Sequence, residues 1–399
     1  MRLIMCVAAL ALLTAGTGAG AEGVIFSLTG QGSLPSFEGA DKDLFRHVGG
    51  ELSAPFVTSQ GMAFLVGDLD SNGVCDDLTN IDGLDIVPQE FPSPRGFLLS
   101  VVSDMAGIKD GDIFRPSPNG GPEVVFAEDV LVSAIGATDG NIDVDALYLS
   151  PLDGSLLFSV AEDEASAFLS GSTPGYVGDD EILRLAAGAP AATILYDAQA
   201  VRATVGKALG VDPFDVKDVL SLTAGPDGAV WFTIQSPSEH DATVFSMRDG
   251  GIVVDGHRET DFGFLNGVEI DALAFVASLP EFLAVRTDPV RPSASDTPRI
   301  DLWCGSPGAP FQVLLSLSAA DPSLHPLPGF GGLYLDPTSP LFAVVLRAAP
   351  FFGGWLDAEG RGQLVLPAPS IPDLIDIAIQ VLDGSRLAIS HPVWLEINQ

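Results

Sequence analysis

The sequence predicts an all-β protein, and three features of the chain lead to this prediction. Glycine (44 residues) and proline (30 residues) are abundant in the 399-residue chain, and both occur along its whole length. This composition favours many short strands joined by tight turns. A unit of short apolar strands recurs through the first three quarters of the chain, and residues 318–399 alternate further short strands with turns.

The N-terminus has the pattern of a secretory signal peptide. Arg2 supplies the positive start, residues 3–13 form the apolar stretch, and Ala19-Gly20-Ala21 places small residues at the cleavage positions before Glu22. The alternative is a membrane anchor, but the apolar run is short for a span. We therefore predict that residues 1–21 are removed and that the mature protein is secreted, extracellular or periplasmic, without membrane insertion after cleavage.

The chain is strongly acidic. Cleavage of the signal peptide removes one basic residue of 18 and no acid, which leaves 17 basic residues against 53 acidic ones and a net charge of −36. A protein with this charge lacks the basic face that nucleic-acid binding needs, and it is repelled by anionic membranes. Two interpretations of the charge remain open. One is solubility through self-repulsion, and the other is a surface that gathers divalent cations.

The recurring unit has two parts, and each part contains an acid. The first part is an Asp followed by small or apolar residues, a turn and an apolar strand, with copies at Asp82, Asp145, Asp218 and Asp271. The strands assigned to these four copies are residues 96–101, 155–160, 229–234 and 281–285, and residues 23–28 match the strand of a truncated first copy. The second part is an acid followed by alternating apolar and basic residues, with its clearest copies at Asp43, Asp112 and Glu181.

The size of the unit indicates the architecture. Successive copies are roughly 50 to 75 residues apart and hold about four short strands each, which is the content of one propeller blade. A single unit cannot bury both faces of its sheet, whereas units stacked around an axis can do so. We therefore predict a β-propeller-like domain of about five four-stranded blades over residues 22–317. The alternative is a large β-sandwich with accidental similarity between its strands.

One copy of the unit resembles the blade repeat of a known group of proteins. Residues 223–233, with the sequence TAGPDGAVWFT, are similar to the repeat of the streptogramin (virginiamycin B) lyase propellers and related secreted bacterial propellers. In such a blade we expect Pro226 and Asp227-Gly228 to make the turn and Trp231 to pack between blades. The catalytic histidine and metal arrangement of those lyases has no counterpart in this sequence. The resemblance therefore implies a fold and not an activity.

Residues 318–399 form a different module. Short apolar runs at 342–347, 362–366, 375–382, 386–390 and 393–397 alternate with turns. This pattern predicts a small antiparallel β-sandwich. A pattern within this segment resembles a C-terminal module of secreted bacterial proteins of unknown function, and it consists of Leu335-Asp336-Pro337, Leu356-Asp357-Ala358, Gly360-Arg361-Gly362, Ile371-Pro372 and Gln380. A packing or attachment role is the default expectation for the module.

The best candidate for an ion site is an acidic loop within residues 68–77. Oxygen ligands at positions 1, 3, 5 and 9 of such a loop converge on a hard cation, a glycine at position 6 permits the sharp turn, and a backbone carbonyl follows it. The predicted ligands are Asp68, Asp70, Asn72, Asp76 and the carbonyl of Val74.

This loop is similar to the calcium loops of thrombospondin type 3 repeats and dockerins, and the resemblance implies calcium as the cofactor. The sequence departs from that pattern at position 12, where Thr79 stands in place of an acid. A ligand is missing unless Asp77 or Asp82 substitutes for it. The alternative interpretation is a hairpin rich in Asp, Asn and Gly that binds no ion.

Several other residues carry open alternatives. The repeated Asp of the first part either gathers carboxylates near a central channel or caps the turn of its own blade through backbone N–H groups, and its repetition in every unit favours the capping role. His240 and His257 lie in predicted loops, where each is a candidate catalytic residue. Cys75 and Cys304 remain in the mature chain, and a disulfide between them and two free thiols are both compatible with export.

The sequence identifies no ligand and contains no local catalytic motif. The first hypothesis is a non-catalytic extracellular binding or surface-associated protein, because the chain combines repeated blades, an acidic surface and an added C-terminal module. The alternative is a secreted hydrolase or lyase whose active site lies at the central opening of the propeller. Propellers assemble sites from separate loops, so the lack of a local motif leaves both hypotheses open.

Overall fold

The computed structural model of this chain describes most of the sequence after the predicted signal peptide. The described residues are 21–29, 32–34, 37–39, 42–48, 53–67, 80–91, 93–105, 107–117, 121–211, 214–225, 228–235, 243–248, 253–255, 262, 269–279, 283–289, 296–320, 324–327, 332–348, 351–366, 375–386 and 388–397. Within these ranges, no helix has both the length and the apolar character that a membrane span requires.

The protein is built almost entirely from short strands. In chain order they are β1 (Ala21–Thr29), β2 (Gly32–Leu34), β3 (Phe37–Gly39), β4 (Leu44–Val48), β5 (Ala54–Val57), β6 (Ile81–Ile86), β7 (Phe97–Val101), β8 (Ile113–Arg115), β9 (Glu123–Phe126), β10 (Val144–Leu149), β11 (Leu156–Val160), β12 (Glu164–Ala165), β13 (Tyr176–Val177), β14 (Ile182–Leu185), β15 (Thr193–Tyr196), β16 (Asp218–Ala224), β17 (Val230–Gln235), β18 (Phe245–Met247), β19 (Val253–Asp255), β20 (Glu269–Leu279), β21 (Ala284–Asp288), β22 (Arg299–Trp303), β23 (Pro310–Ser316), β24 (Gly353–Trp355), β25 (Gly362–Val365), β26 (Ile375–Asp383) and β27 (Val393–Ile397). The predicted all-β class is therefore confirmed.

Short helices connect some of these strands. They are α1 (Ser59–Val66), α2 (Glu128–Ile135), α3 (Ala198–Leu209) and α4 (Pro340–Arg347). The helices α2 and α3 both end at a glycine in the left-handed conformation, Gly136 with φ 71° and Gly210 with φ 70°. Only glycine adopts this conformation without steric cost, so these two positions fix where the helices stop.

Four four-stranded antiparallel sheets occupy residues 21–279. Their strand orders are β20-β1-β4-β5 in sheet I, β6-β7-β8-β9 in sheet II, β10-β11-β14-β15 in sheet III and β16-β17-β18-β19 in sheet IV. The first two strands of sheet II, β6 and β7, are buried along their whole length. Burial on both faces explains why β7 is almost continuously apolar instead of alternating with polar residues.

Sheet I joins the two ends of the repeat region. β1 pairs with β20 on one side, where Phe26 lies opposite Leu273, and with β4 on the other side. The truncated first copy predicted at residues 23–28 and the copy predicted at Asp271 are thus parts of one sheet. The repeat pattern predicts residues 281–285 as the strand of that copy, but Ala284 and Val285 belong to β21, which pairs with β22. About five units were predicted over residues 22–317. Because the truncated first copy and the last copy share sheet I, the described part of residues 21–279 forms four such sheets instead.

The first strands of sheets I to IV lie against one another. β20 contacts β6, β6 contacts β10, β10 contacts β16, and β16 contacts β20 again. The order of contacts is therefore cyclic. It brings together the four strands that carry the repeated Asp residues.

Hydroxyl side chains on the second strands connect neighbouring sheets. The hydrogen bonds are Ser27 Oγ to Ile81 O at 3.2 Å, Ser159 Oγ to Val219 O at 2.8 Å and Thr233 Oγ1 to Ile270 O at 2.8 Å. Ser100 holds the matching position on β7 and is fully buried, but its Oγ has no hydrogen-bond partner among the described residues. The recurring Ser or Thr of these strands thus bonds to the next sheet in three cases of four.

Two further sheets lie after β20. Sheet V has the order β21-β22-β25, and sheet VI has the order β24-β23-β26-β27. In sheet VI, Leu314 of β23 lies opposite Gln380 of β26, so strands from both sides of residue 318 belong to one sheet. The predicted boundary between residues 317 and 318 therefore separates strands that the structure pairs. The change from the first group of sheets to the second falls between β20 and β21.

The module after residue 318 contains a helix where a strand was predicted. Residues 342–347 belong to α4, in which Pro340 is the first residue, a position that proline favours. Phe342 and Val345 are the buried residues of this helix, and their spacing of three places both on one face. The apolar run thus had helical spacing, and the prediction of a strand there was wrong.

The two groups of sheets share a core. Phe64 of α1 stacks on Trp394 of β27 with ring centroids 5.0 Å apart, and it meets the ring of Tyr334 edge-on at 6.0 Å. A second apolar cluster consists of residues from sheets V and VI together with Val345 of α4.

Candidate functional site

The repeated Asp residues of the first strands occupy equivalent places in sheets I to IV. Each lies at or beside a shift in the pairing between the first and second strands of its sheet. A shift of this kind leaves a residue out of the ladder and changes the direction of its side chain. The residues are Asp82 on β6, Asp145 on β10, Asp218 on β16 and Asp271 on β20.

These carboxyl groups are buried and interact with one another. Asp82, Asp145 and Asp271 are 4%, 6% and 5% exposed. Burial is the main cause that raises the pKa of Asp82 to about 9, and the charges of Asp143 and Asp271 add to it. Burial, followed by the charges of Asp218 and Asp82, raises the pKa of Asp145 well above its ordinary value of 3.8. The sequence alternative in which these acids gather is thus the one that the electrostatics favour.

Asp145 and Asp218 form a carboxyl pair within hydrogen-bonding distance of each other. Burial, followed by the charge of Asp179, raises the pKa of Asp218 to about 8, while the bond to Asp145 lowers it. The charge of Asp218 raises the pKa of Asp145, whereas the hydrogen bond to Asp145 lowers the pKa of Asp218, so the two acids titrate as a pair. No N–H or O–H of the described residues bonds to Asp145 Oδ2 or Asp218 Oδ1. The pair therefore needs either a proton or a positive ion at neutral pH.

Asp271 differs from this pair because it has a donor. Asn80 Nδ2 donates to Asp271 Oδ2, and Asn80 Oδ1 in turn accepts a hydrogen bond from Ile81 N at 3.0 Å. Asn80 directly precedes β6, so the contact also links sheet I to sheet II. One of the four repeated acids is thus held by a neutral donor of the neighbouring sheet.

Further acids extend the cluster along the adjoining loops. Burial, followed by the charge of Asp110, raises the pKa of Asp143 to about 7. Burial, followed by the charge of Asp163, raises the pKa of Asp179 to about 6. The acidic residues linked in this way are Asp82, Asp110, Asp143, Asp145, Asp163, Asp179, Asp218 and Asp271, and we call them the acidic face. The charges that dominate the shifts within it are negative, so a positive charge placed among these acids would offset their mutual repulsion.

The acids of the second repeat part have a different role. Each accepts a hydrogen bond from the first backbone N–H of the helix that follows its sheet, which satisfies an N–H that the helix itself cannot pair. The bonds are Ser59 N to Asp43 Oδ1 at 2.5 Å, Glu128 N to Asp112 Oδ1 at 2.8 Å and Ala198 N to Glu181 Oε1 at 3.4 Å. We call Asp43, Asp112 and Glu181 the helix-capping acids. Capping of backbone N–H groups was the alternative role for the repeated Asp of the first strands. The structure shows it instead at the helix-capping acids.

Glu181 shows how closely such an acid is enclosed. It is fully buried, and its carboxylate also accepts from Ser172 N at 2.7 Å and from Gly178 N at 3.2 Å. A Cβ atom on Gly171 would lie 1.9 Å from Glu181 Oε2, so only glycine fits at that position. Backbone N–H groups thus surround this carboxylate.

The predicted calcium loop lies outside the described residues. Its five ligands Asp68, Asp70, Asn72, Val74 and Asp76 all fall within residues 68–79, of which the structure describes none. Among the residues that are described, no three His, Cys, Asp or Glu side chains already form a metal-binding arrangement. The calcium prediction for this loop therefore stays a prediction.

The candidate catalytic histidines also lie outside the described residues, at His240 and His257. Of the histidines that are described, His391 is fully buried with Nε2 3.1 Å from Val285 O, and burial lowers its pKa to about 4. His47 is buried against the ring of Phe262 at 4.8 Å. Both of these side chains pack within the core.

The thiol of Cys304 is free and donates to Pro55 O at 3.4 Å. Its possible partner Cys75 lies outside the described residues. Trp231 packs edge-on against Phe275 with ring centroids 6.0 Å apart, and these residues belong to sheets IV and I. The ring of this tryptophan thus lies between sheets IV and I.

Sequence reasoning missed the acids that flank the repeated Asp residues. Asp143 stands two residues before Asp145, and Asp179 directly precedes another acid. Acids clustered immediately before a strand were the available signal. The partners of Asp218 across the sheets depend on tertiary structure, so the repeat alone did not reveal them.

Comparison with known proteins gives little further information. No protein-family model matches the sequence, and no curated protein matches it either. Among solved structures, the chain is similar to the native conformation of E. coli alpha-2-macroglobulin, a cryo-EM reconstruction, with a TM-score of 0.22 and 9% identity. The match covers 95% of this chain and 22% of that chain, and at this TM-score it carries no argument about fold or function.

Proposed function

We propose that sheets I to IV are the blades of a four-bladed β-propeller. The cyclic contacts of the first strands support this, since they are the contacts of blades that surround an axis. The pairing of β1 with β20 supports it as well, because it closes the ring with strands from both ends of the repeat region. Sheets V and VI, with an apolar cluster formed from their residues, are proposed as the accompanying β-sandwich.

This architecture predicts a specific result for a truncation. Removal of β1 deletes the partner of β20 and leaves sheet I incomplete, so we expect a loss of cooperative unfolding. A chain that starts at residue 31 is compared with one that starts at Glu22 by thermal unfolding followed by circular dichroism. Equal melting temperatures of the two chains would contradict the proposed closure.

We propose that the protein is a non-catalytic extracellular binding or surface-associated protein whose ligand carries positive charge. The acidic face carries this proposal, because its buried acids are surrounded mainly by other acids. A cationic ligand relieves this repulsion, and the gain in electrostatic free energy favours binding. The signal-peptide pattern supports secretion, and the loop of Asp68, Asp70, Asn72, Val74 and Asp76 remains a proposed calcium site.

A ligand screen tests this function. The mature protein is screened against glycan, peptide and ester libraries, with both binding and turnover scored. We expect binding of basic ligands without turnover, and we expect Asp110→Asn together with Asp143→Asn to weaken it by about tenfold. Asp197→Asn serves as the control, since Asp197 is an exposed helix cap outside the acidic face. Equal binding by both variants would contradict the proposal.

A secreted hydrolase or lyase with its active site at the central opening is the second candidate. The carboxyl pair of Asp145 and Asp218 favours it, because a carboxyl group with a raised pKa can act as a general acid near neutral pH. Turnover in the same screen that is lost in Asp145→Asn and Asp218→Asn, or on substitution of His240 or His257, would replace the binding proposal with this one.

A further inference from the structure

The strongest unexplained feature of the molecule is the carboxyl pair of Asp145 and Asp218. The two residues come from the first strands of different sheets, β10 and β16. Asp145 is 6% exposed, and its carboxyl group points into the cluster, since it lies within hydrogen-bonding distance of Asp218. One oxygen of each residue, Asp145 Oδ2 and Asp218 Oδ1, has no donor among the described residues.

Buried polar atoms without a partner are rare, and each calls for an explanation. Other buried acids of this chain show what a satisfied carboxylate looks like here. Glu181 accepts three backbone N–H groups, and Asp271 is held by Asn80. The pair of Asp145 and Asp218 has no equivalent set of donors. Unpaired oxygens that only accept, on two carboxyl groups within hydrogen-bonding distance of each other, are complementary to a cation.

We infer that Asp145 and Asp218 bind a divalent cation, calcium in the extracellular setting, at the point where the first strands meet. Asp82 and Asp271 lie in the same cluster and supply further negative charge. No three such side chains among the described residues already form a complete set of ligands. Two carboxylates therefore bind the ion directly, and its remaining positions are filled by water.

The chemistry of the donors selects the class of ion. Carboxylate oxygens are hard ligands that suit Ca²⁺ and Mg²⁺, and Ca²⁺ accepts an irregular set of six to eight oxygens. Two carboxylates with several waters give a weak site, with a dissociation constant of about 10⁻⁴ to 10⁻³ M, the range of extracellular calcium modules. The ion also joins sheet III to sheet IV across their first strands. Calcium would thus link two neighbouring sheets of the repeat region.

This inference rests on the proposed function only in that both use the acidic face, and its test is separate from the ligand screen. The mature chain is titrated with calcium chloride by calorimetry near pH 7.5 after treatment with EDTA. Four variants are compared with it: Asp145→Asn, Asp218→Asn, the loop double variant Asp68→Asn with Asp70→Asn, and the control Asp197→Asn. The loop variant separates the inferred site from the predicted loop site, and Asp197→Asn controls for the loss of one negative charge.

We expect Asp145→Asn and Asp218→Asn each to weaken one calcium-binding event by at least about tenfold. The loop variant and Asp197→Asn should retain that event. The melting temperature gives a second readout, because calcium should raise it less in Asp145→Asn than in the unaltered protein, while in EDTA Asp145→Asn should melt no lower. The last comparison shows that the variant folds.

Two outcomes would overturn the inference. One is calcium binding that disappears entirely in the loop variant, and the other is calcium binding that is equal in Asp145→Asn and the unaltered protein. A pair that holds only a proton gives the second outcome. A protein that binds calcium at Asp145 and Asp218 but binds nothing in the ligand screen would refute the proposed function and leave this inference intact.

Discussion

The helix-capping acids and the acids of the first strands are both repeated in the sequence, but their carboxylates have different surroundings. The helix-capping acids are buried with backbone N–H partners, as at Glu181, where three such groups surround the carboxylate. Asp82, Asp145 and Asp271 of the first strands are also buried, but one oxygen each of Asp145 and Asp218 has no hydrogen-bond partner among the described residues. Burial of an acid is thus uninformative by itself. What surrounds the carboxylate decides whether it stabilises the fold or is available to a ligand.

The largest expected effect is at a helix-capping acid. Glu181→Ala removes the acceptor of the N–H groups of Ser172, Gly178 and Ala198. A buried donor that loses its acceptor costs about 1 to 3 kcal/mol, and of these three residues Ala198 is buried, Gly178 half-buried and Ser172 exposed, so the free energy of unfolding should fall by about 2 kcal/mol or more. Urea unfolding followed by circular dichroism measures this change.

Glu181→Gln is the matched variant, because it keeps one carbonyl acceptor at the same place. We expect it to lose less stability than Glu181→Ala. A loss below about 1 kcal/mol for Glu181→Ala would show that these N–H groups find other partners, and the contrast between the two sets of acids would then be lost.

The opposite sign is expected at an acid of the first strands. Asp82 has a pKa raised to about 9, first by burial and then by neighbouring acids, so keeping it in the fold at neutral pH is unfavourable. At neutral pH the fold must keep this acid protonated, and Asp82→Asn removes that cost, so it should raise the free energy of unfolding by about 2 kcal/mol in the presence of EDTA. Asp197→Asn should change it by less than about 0.5 kcal/mol. A destabilised Asp82→Asn would mean that the carboxylate has donors.

The smallest expected effect on the free energy of unfolding comes from removing one of two buried hydroxyl groups. Ser159 Oγ donates to Val219 O at 2.8 Å, whereas Ser100 Oγ, at the matching position, has no partner among the described residues. Ser159→Ala should lower the free energy of unfolding by about 1 kcal/mol, and Ser100→Ala should be neutral or slightly stabilising. Thermal unfolding of both variants tests this, and equal losses would argue against the inter-sheet bond at Ser159.

Much of the repeat region was predictable because it depends on local sequence. An Asp recurs near the start of each first strand, and a Ser or Thr recurs on each second strand. In the structure these residues occupy equivalent positions in sheets I to IV. The acid before each apolar and basic alternation was also visible, at Asp43, Asp112 and Glu181. Its role was not, because the helix that it caps lies about 16 residues later in the chain.

The features that sequence reasoning missed depend on contacts between distant residues. β1 pairs with β20 in sheet I, and no local pattern at residues 23–28 indicates this partner, which lies some 250 residues away. Sheet VI likewise takes β23 from before the predicted boundary at residue 318. The pairing of Asp145 with Asp218 is of the same kind, since it arises only when sheets III and IV meet.

The central claim is that Asp82 and Asp218 of the first strands have raised pKa values because they are removed from water among other acids, and the pH dependence of stability tests it most directly. The pKa values of Asp82 and Asp218, about 9 and about 8, lie above the ordinary 3.8 of the unfolded chain. Between these limits the folded protein binds more protons than the unfolded chain, so stability falls as pH rises. The pKa of His391 is lowered to about 4, and its opposing contribution is complete once the pH exceeds about 6.5.

The measurement is therefore the free energy of unfolding in EDTA between about pH 7 and pH 8.5, for the unaltered protein and for Asp82→Asn combined with Asp218→Asn. We predict a fall of about 3 kcal/mol across this range in the unaltered protein and a clearly smaller fall in the double variant. The control Asp197→Asn should follow the unaltered protein. Stability that is constant or rises with pH in the unaltered protein, or an equal fall in the double variant, would contradict the account.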